Sequence, residues 1–196
     1  MRTADVTMPP RPQGFTLIEL MVALAILALL LLLGMPSFTT FVRNSEVRST
    51  SESIINGLRA ATTEAANRNR KVTFELASAT GADWTFWVFD DDGVTKKTIQ
   101  SFAKKEAGPN TKITLTPAGQ LSVTFNGLGR VDIDPATPNN HIRQIDIDSV
   151  VAGEARPLRI IVDDPNPPAA GKPRGLRMCD PDPALAALVP PDPRAC

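Results

Sequence analysis

Between Leu20 and Met35 the chain reads LMVALAILALLLLLGM, without one polar side chain. Phe15 to Ile18 extend that run to about 20 residues, the length a helix needs to cross a ~30 Å hydrocarbon layer. A cleavable secretory signal is the rival pattern, with a basic end, a short apolar stretch and then a small-residue cleavage site. Here the run is long, and Gly34-Met35-Pro36-Ser37-Phe38 is a poor match to an A-x-A-like site. The pattern therefore predicts a retained anchor. Arg2 and Arg11 precede it, which predicts that this end stays cytoplasmic and that the rest of the chain lies across the membrane.

Past Pro36 the apolar positions become periodic. Val47, Ile54, Ile55, Leu58, Ala61 and Ala65 fall on a face about 120° wide at 3.6 residues per turn, with Arg48, Glu52, Arg59 and Asn67 away from it. This predicts that the helix continues in amphipathic form. Gly34 and Pro36 mark a bend, since proline removes a backbone donor and clashes with the preceding turn. From Phe15 to about Asn69 such a helix is roughly 80 Å long at 1.5 Å per residue.

From Lys71 the period changes to two. Val72 to Leu76 alternates, and so does Trp84 to Phe89, where both faces are largely apolar. A glycine-containing turn near Ser78 to Ala82 joins them as a hairpin, and Asp90-Asp91-Asp92-Gly93 ends the second strand. Further candidate strands are Val94 to Gln100, Lys112 to Leu115, Leu121 to Phe125, Ile142 to Ile147 and Leu158 to Val162. There is no βαβ rhythm and no internal repeat. The predicted class is α+β, with one long helix against an antiparallel sheet or a pair of sheets. Past Arg156 the character changes again: ten of the 18 prolines lie between Pro157 and Pro193, and strand patterning stops near Val162.

Charge narrows the function. Lys plus Arg is 21 and Asp plus Glu is 21, so the chain is not a basic coat for nucleic acid, and any polyanion contact must come from a local patch. Cys179 and Cys196, both near the end of the sequence, are placed to close a loop. In an oxidising periplasm that bridge would contribute roughly 3 kcal/mol by restricting the unfolded chain; the alternative is two free thiols. A single histidine, His141, argues against a His-based metal cluster or a hydrolase triad. Beside Asn139 and Asn140 it reads as a surface loop or strand edge. Asp90 to Asp92 lack the alternating oxygens and distant glutamate of a calcium loop, and read as a solvated turn. No nucleophile elbow, zinc-protease helix or phosphate-cradling glycine loop occurs. The expectation is a non-enzyme with no cofactor, no metal and no small-molecule substrate.

Two details of the N-terminus exceed a generic anchor. Gly14 separates a polar leader rich in proline and arginine from an abrupt apolar start at Phe15, and Glu19 is the one ionisable residue inside the span. A carboxylate there costs on the order of 2.5–3.5 kcal/mol to insert, so it has a partner or sits at the interface. Gly14-Phe15-Thr16-Leu17-Ile18-Glu19 resembles the class III signal of type IV pilins and type II secretion pseudopilins. The resemblance implies cleavage between Gly14 and Phe15 by a prepilin peptidase, N-methylation of Phe15, and roles in assembly for Glu19 and Pro36. Counted from Phe15, these two are residues 5 and 22, where that family carries its glutamate and often a proline. It divides the chain into a removed leader (1–14), a transmembrane and assembly helix (15–35), an amphipathic continuation (36–70), an antiparallel β domain (71–162) and a Pro-rich tail (163–196).

The later features resemble the GspH/FimT-type branch of pseudopilins and minor pilins. These are the tryptophan hairpin ending in Asp-Asp-Gly, Val123-Thr124-Phe125-Asn126-Gly127-Leu128-Gly129-Arg130, the late strand Leu158 to Val162, and a basic glycine loop before Cys179-Asp180-Pro181. The Pro-rich insertion from Asp163 to Pro173 and the long tail after Cys179 depart from that branch. The implied function is a structural minor subunit of a filament anchored in the inner membrane by one pass, its globular domain in the periplasm. It belongs either to type II protein secretion or to a type IV pilus, with other pilins or pseudopilins as partners. Some FimT-type minor pilins bind DNA through a Gly-Arg-x-Arg loop, which Gly171-Lys172-Pro173-Arg174 resembles, with Arg177 close behind. The alternative expectation is therefore DNA uptake through Lys172, Arg174 and Arg177, a patch that Asp163, Asp164, Asp180 and Asp182 weaken.

Overall fold

A computed structural model describes residues 14–103, 110–151, 153, 155–162, 175–188, 190 and 192–196, with side chains at 33–36 left out. Two units organise the chain, one ending at Phe38 and the other running from Thr39 to Cys196. Helix α1, Leu17–Arg68, contributes to both.

In the first unit the described side chains of α1 are exposed, from Leu17 at 78% to Leu32 at 71%. Among the described residues no single helix is long and apolar enough to cross a membrane; the stretches Leu17–Leu32 and Ser37–Arg68 meet that test only together. The side chains of Gly34 and Pro36, where a bend is expected, lie outside the described set, as does the leader up to residue 13.

In the second unit α1 buries the face its periodicity predicts: Val47, Ile54, Ile55, Leu58, Ala61 and Ala65 are all at most 2% exposed. Arg48, Glu52, Arg59 and Asn67 face solvent. Two hydroxyls on the buried face are satisfied, Ser51 Oγ donating to the Val47 carbonyl at 2.7 Å and Thr50 Oγ1 to Thr111 Oγ1 at 3.4 Å. The helix stops where Asn69 takes a φ of 50°, a left-handed conformation that asparagine tolerates at helix ends. The Arg70 amide then bonds back to the Ala65 carbonyl at 3.2 Å.

The strands are β1 (Val72–Leu76), β2 (Trp84–Phe89), β3 (Lys96–Phe102), β4 (Thr111–Thr116), β5 (Ser122–Phe125), β6 (Gln144–Ser149), β7 (Leu158–Ile161) and β8 (Arg177–Cys179). They form two four-stranded sheets, ordered β3-β2-β1-β5 and β4-β6-β7-β8, with every pairing antiparallel. Alternation decides which side chains turn inward. Phe74 of β1, Trp84 and Phe86 of β2, Phe125 of β5, Ile113 of β4, Ile147 of β6 and Ile160 of β7 join the α1 face in one core. The register of β2 against β3 shifts between Phe86 and Trp87, and Trp84 stacks on Phe102 with ring centroids 5.6 Å apart.

Three features depart from the sequence reading. Val94 lies in the β2–β3 turn rather than in β3, because the Asp92 carboxylate accepts from the amides of Val94 and Thr95, both at 2.8 Å. Strand order does not end near Val162: β8 pairs with β7, and helix α2 (Pro183–Ala186) follows, capped by Asp182. His141 is not a surface residue; it is 5% exposed, beside the fully buried Ile142.

Candidate functional site

The N-terminal segment is built as a helix start with an apolar surface. Thr16 Oγ1 accepts from the Glu19 amide at 3.3 Å, and the Thr16 carbonyl from the Leu20 amide at 3.2 Å. Thr16-Leu17-Ile18-Glu19 thus has the spacing in which a hydroxyl satisfies an orphan amide and a carboxylate sits in the first turn, facing the positive end of the helix. Glu19 is exposed, and Phe15 is 84% exposed. Gly14 has open space around the position a Cβ would take. The sequence places Gly14, Phe15, Thr16 and Glu19 together, and the structure shows the Thr16 hydroxyl accepting the Glu19 amide.

The C-terminal segment is held by a Cys179–Cys196 disulfide, with Cα atoms 5.1 Å apart. Around it the Asp180 amide donates to the Arg194 carbonyl at 2.7 Å, and the Cys196 amide to the Asp180 carbonyl at 3.0 Å. Asp180 and Ala195 form a parallel bridge. The end of the chain is therefore laid alongside β8. Asp192 accepts from Arg194 at Nε (3.0 Å) and Nη2 (2.7 Å). That pairing, helped by the Arg194 amide, pulls the Asp192 carboxyl down to about 2 and raises the Arg194 guanidinium. Of the basic loop only Arg177 is described: it is half-buried on β8, opposite Ile161. Lys172 and Arg174 lie outside the described residues.

The acidic turn is organised by its own backbone. Asp92 is held below the usual carboxylate range, first by the Thr95 hydroxyl and then by the Thr95 and Val94 amides. Arg70 Nη1 meets Asp91 Oδ1 at 2.7 Å, and Arg70 Nη2 the Asp90 carbonyl at 3.2 Å. Among the described residues no group of three or more His, Cys, Asp or Glu side chains is arranged to hold a metal ion.

Residues 10–35 match the prokaryotic N-terminal methylation motif, and residues 50–165, more than half of the chain, match the model of the type II transport protein GspH. This chain belongs to the GspH family. The family is one of structural pilin-type subunits rather than enzymes. Its N-terminal motif implies processing by a prepilin peptidase, assembly with other pilin-type subunits and a place in a membrane-anchored filament. No curated protein sequence matches this GspH-family chain. Among solved structures, two crystal forms of the type IV minor pilin FimU of Pseudomonas aeruginosa (strain PAO1) are similar to it. One is 16% identical, covers 62% of this chain and 85% of the other, and has a TM-score of 0.48. The second is 15% identical, covers 59% and 84%, and has a TM-score of 0.43. Likeness at that level bears no weight on function.

Neither periodicity nor motif singles out Ser53, Gly57, Arg156 or Arg194, and periodicity places Arg48 only off the buried face. The first two meet Trp84, whose Nε1 donates to Ser53 Oγ at 3.1 Å. The three arginines converge on one groove from positions 38 to 146 residues apart in the sequence (194 − 156 and 194 − 48).

Proposed function

We propose that this chain is a minor structural subunit of an inner-membrane-anchored filament, cleaved between Gly14 and Phe15 and methylated on Phe15. It crosses the inner membrane once, with the unit from Thr39 onward in the periplasm. It serves as a GspH-type pseudopilin of type II secretion or as the corresponding minor pilin of a type IV pilus. The observation that carries this reading is the run of exposed apolar side chains from Phe15 to Leu32. Surface of that kind demands a lipid or protein environment outside the chain. Once the leader is gone, the Phe15 amine of one subunit and Glu19 of the next relieve each other's charge in an apolar filament core. Pro36 belongs to the same assembly segment.

The experiment is Glu19→Ala in the source bacterium, scored by incorporation into sheared filaments. Loss of incorporation with normal membrane levels is expected, and undiminished incorporation overturns the pairing. An in-frame deletion assigns the machine: lost enzyme secretion marks a pseudopilin, lost twitching or DNA uptake a minor pilin. A second reading, duplex DNA bound through Lys172, Arg174 and Arg177, is supported by the position of Arg177 on the edge strand β8. Equal low-salt binding by a Lys172/Arg174/Arg177→Ala variant would sink it.

A further inference from the structure

We propose that a cleft between the β4–β5 turn and the β5–β6 loop binds a neutral saccharide, one pyranose unit of a glycan chain. This goes beyond the filament reading and does not rest on it. The cleft has a volume of about 450 Å³, within the range of roughly 300–1,000 Å³ usual for small-molecule sites. Gln120 of the turn lines one side, and Thr137, Pro138, Asn139 and Asn140 of the loop line the other.

Both walls are tight turns fixed beside each other. The Gln120 amide donates to the Pro117 carbonyl at 3.4 Å, across Gly119 at a φ of 85°. In the loop, the Thr137 amide donates to the Asp134 carbonyl and the Asn140 amide to the Thr137 carbonyl, both at 3.0 Å. Pro135 and Pro138 stand second in these two turns, where the fixed φ of proline already matches the turn. Asp134 locks the first of them, accepting from the Ala136 amide at 2.8 Å and the Thr137 hydroxyl at 3.1 Å. Just past the loop, the Ile142 amide donates to the Ser122 carbonyl and the Arg143 amide to the Thr116 carbonyl, both at 2.9 Å. Those two bonds set the loop against the β4–β5 turn. The cleft is therefore pre-formed, which lowers the ordering cost of binding.

The lining selects a ligand by what it offers and by what it lacks. Among the described residues no charged side chain lines the cleft, so nothing there offsets the desolvation of an ion. A hydrocarbon would meet mostly amides and a hydroxyl. Gln120, Asn139 and Asn140 each carry a carboxamide, which donates and accepts from one plane. Among the described residues none of the three carboxamides has a hydrogen-bond partner, so their full capacity faces the cleft. Neighbouring carboxamides match the adjacent hydroxyls or the acetamido group of a sugar ring. The Pro138 ring adds a small apolar surface for the C–H face of that ring. A pyranose carries both kinds of surface in one molecule. The same chemistry occurs in acetamido glycans and in neutral hexose polymers, and the test separates these two sources.

The test uses the full chain, labelled with nitrogen-15, in micelles of a phosphocholine detergent, which has no sugar headgroup. Side-chain NH2 signals are followed by NMR during titration with triacetylchitotriose, maltotriose or glycerol. The variants Gln120→Ala, Asn139→Ala and Asn140→Ala assign the three signals by deleting one each. Saturable shifts of all three with a trisaccharide, and none with glycerol at equal hydroxyl concentration, are expected. A response to triacetylchitotriose alone marks an acetamido glycan, and a response to maltotriose marks a neutral hexose chain. The double variant Asn139→Ala/Asn140→Ala is expected to bind at least about tenfold more weakly, having lost two sets of hydrogen bonds. Its backbone amide signals outside the two loops report that the fold is kept. Three results overturn the proposal: no saturable shift with either sugar up to about 10 mM, equal shifts with glycerol, or undiminished binding by the double variant. The Glu19→Ala incorporation assay judges the filament reading separately.

Discussion

Gly57 is the point of α1 on which the Trp84 indole rests: a Cβ built there would lie 2.8 Å from Trp84 Cζ2 and 2.9 Å from Cε2. One helical turn earlier Ser53 Oγ accepts the indole N–H at 3.1 Å. Glycine inside a helix costs about 1 kcal/mol relative to alanine, so its presence here is explained by close approach rather than by helix formation.

Gly57→Ala is accordingly expected to destabilise the protein by about 1–3 kcal/mol despite the better helix former, because the tryptophan is rigid and buried. Urea unfolding followed by tryptophan fluorescence measures this. Trp84→Leu in the same chain removes the clash, so the alanine should cost little in that background. An alanine variant as stable as the wild type contradicts the packing argument.

The Cys179–Cys196 link closes a loop of 17 residues, and the chain-entropy estimate for a loop of that size is about 3 kcal/mol. Cys196→Ser should lower the melting temperature and release the segment after Asp180. Reductant should destabilise the wild type and leave the variant unchanged, as read by calorimetry and by amide exchange at Asp180 and Cys196.

Thr16→Val keeps the shape of the side chain and removes the acceptor for the Glu19 amide. A lost helix N-cap costs about 1 kcal/mol. Faster amide exchange at Glu19 in micelles, with no change beyond Thr39, is the expected result. Unchanged exchange at Glu19 counts against the capping role.

The ion pair at Asp192 predicts how the tail responds to acid. Its folded-state pKa of about 2 lies below the ordinary 3.8. The stabilisation is therefore fully present above pH 3.8 and is lost as the pH falls through about 2. In Arg194→Leu the side-chain hydrogen bond that leads the shift is gone, and the Asp192 carboxyl should rise toward its ordinary range while the residue-194 amide still holds it somewhat below. A carboxyl-carbon NMR titration reads both.

Much of the fold is legible in local periodicity. The face from Val47 to Ala65 and the alternation in β1 and β2 state which side of each element is buried, because burial repeats with the element's own period. The disulfide partners follow from there being just two cysteines. β8 escapes such a reading because three residues are too short to show a period, and its order comes from pairing with β7 across an insertion of prolines. His141 escapes because its neighbours Asn139 and Asn140 are polar, whereas in the folded chain it is 5% exposed and the next residue, Ile142, bonds through its amide to the Ser122 carbonyl of β5.

What the sequence determined by itself is therefore whatever depends on neighbours along the chain. That covers the apolar run, the Gly14–Glu19 stretch within the N-terminal methylation motif, the helix face and most strands. Tertiary structure alone decided the seat of Trp84 on Gly57, the laying of the C-terminus beside β8, and the gathering of Arg48, Arg156 and Arg194 around one groove. The reason is physical: these depend on which distant segments the packed core brings within a few ångströms, and no local repeat records that.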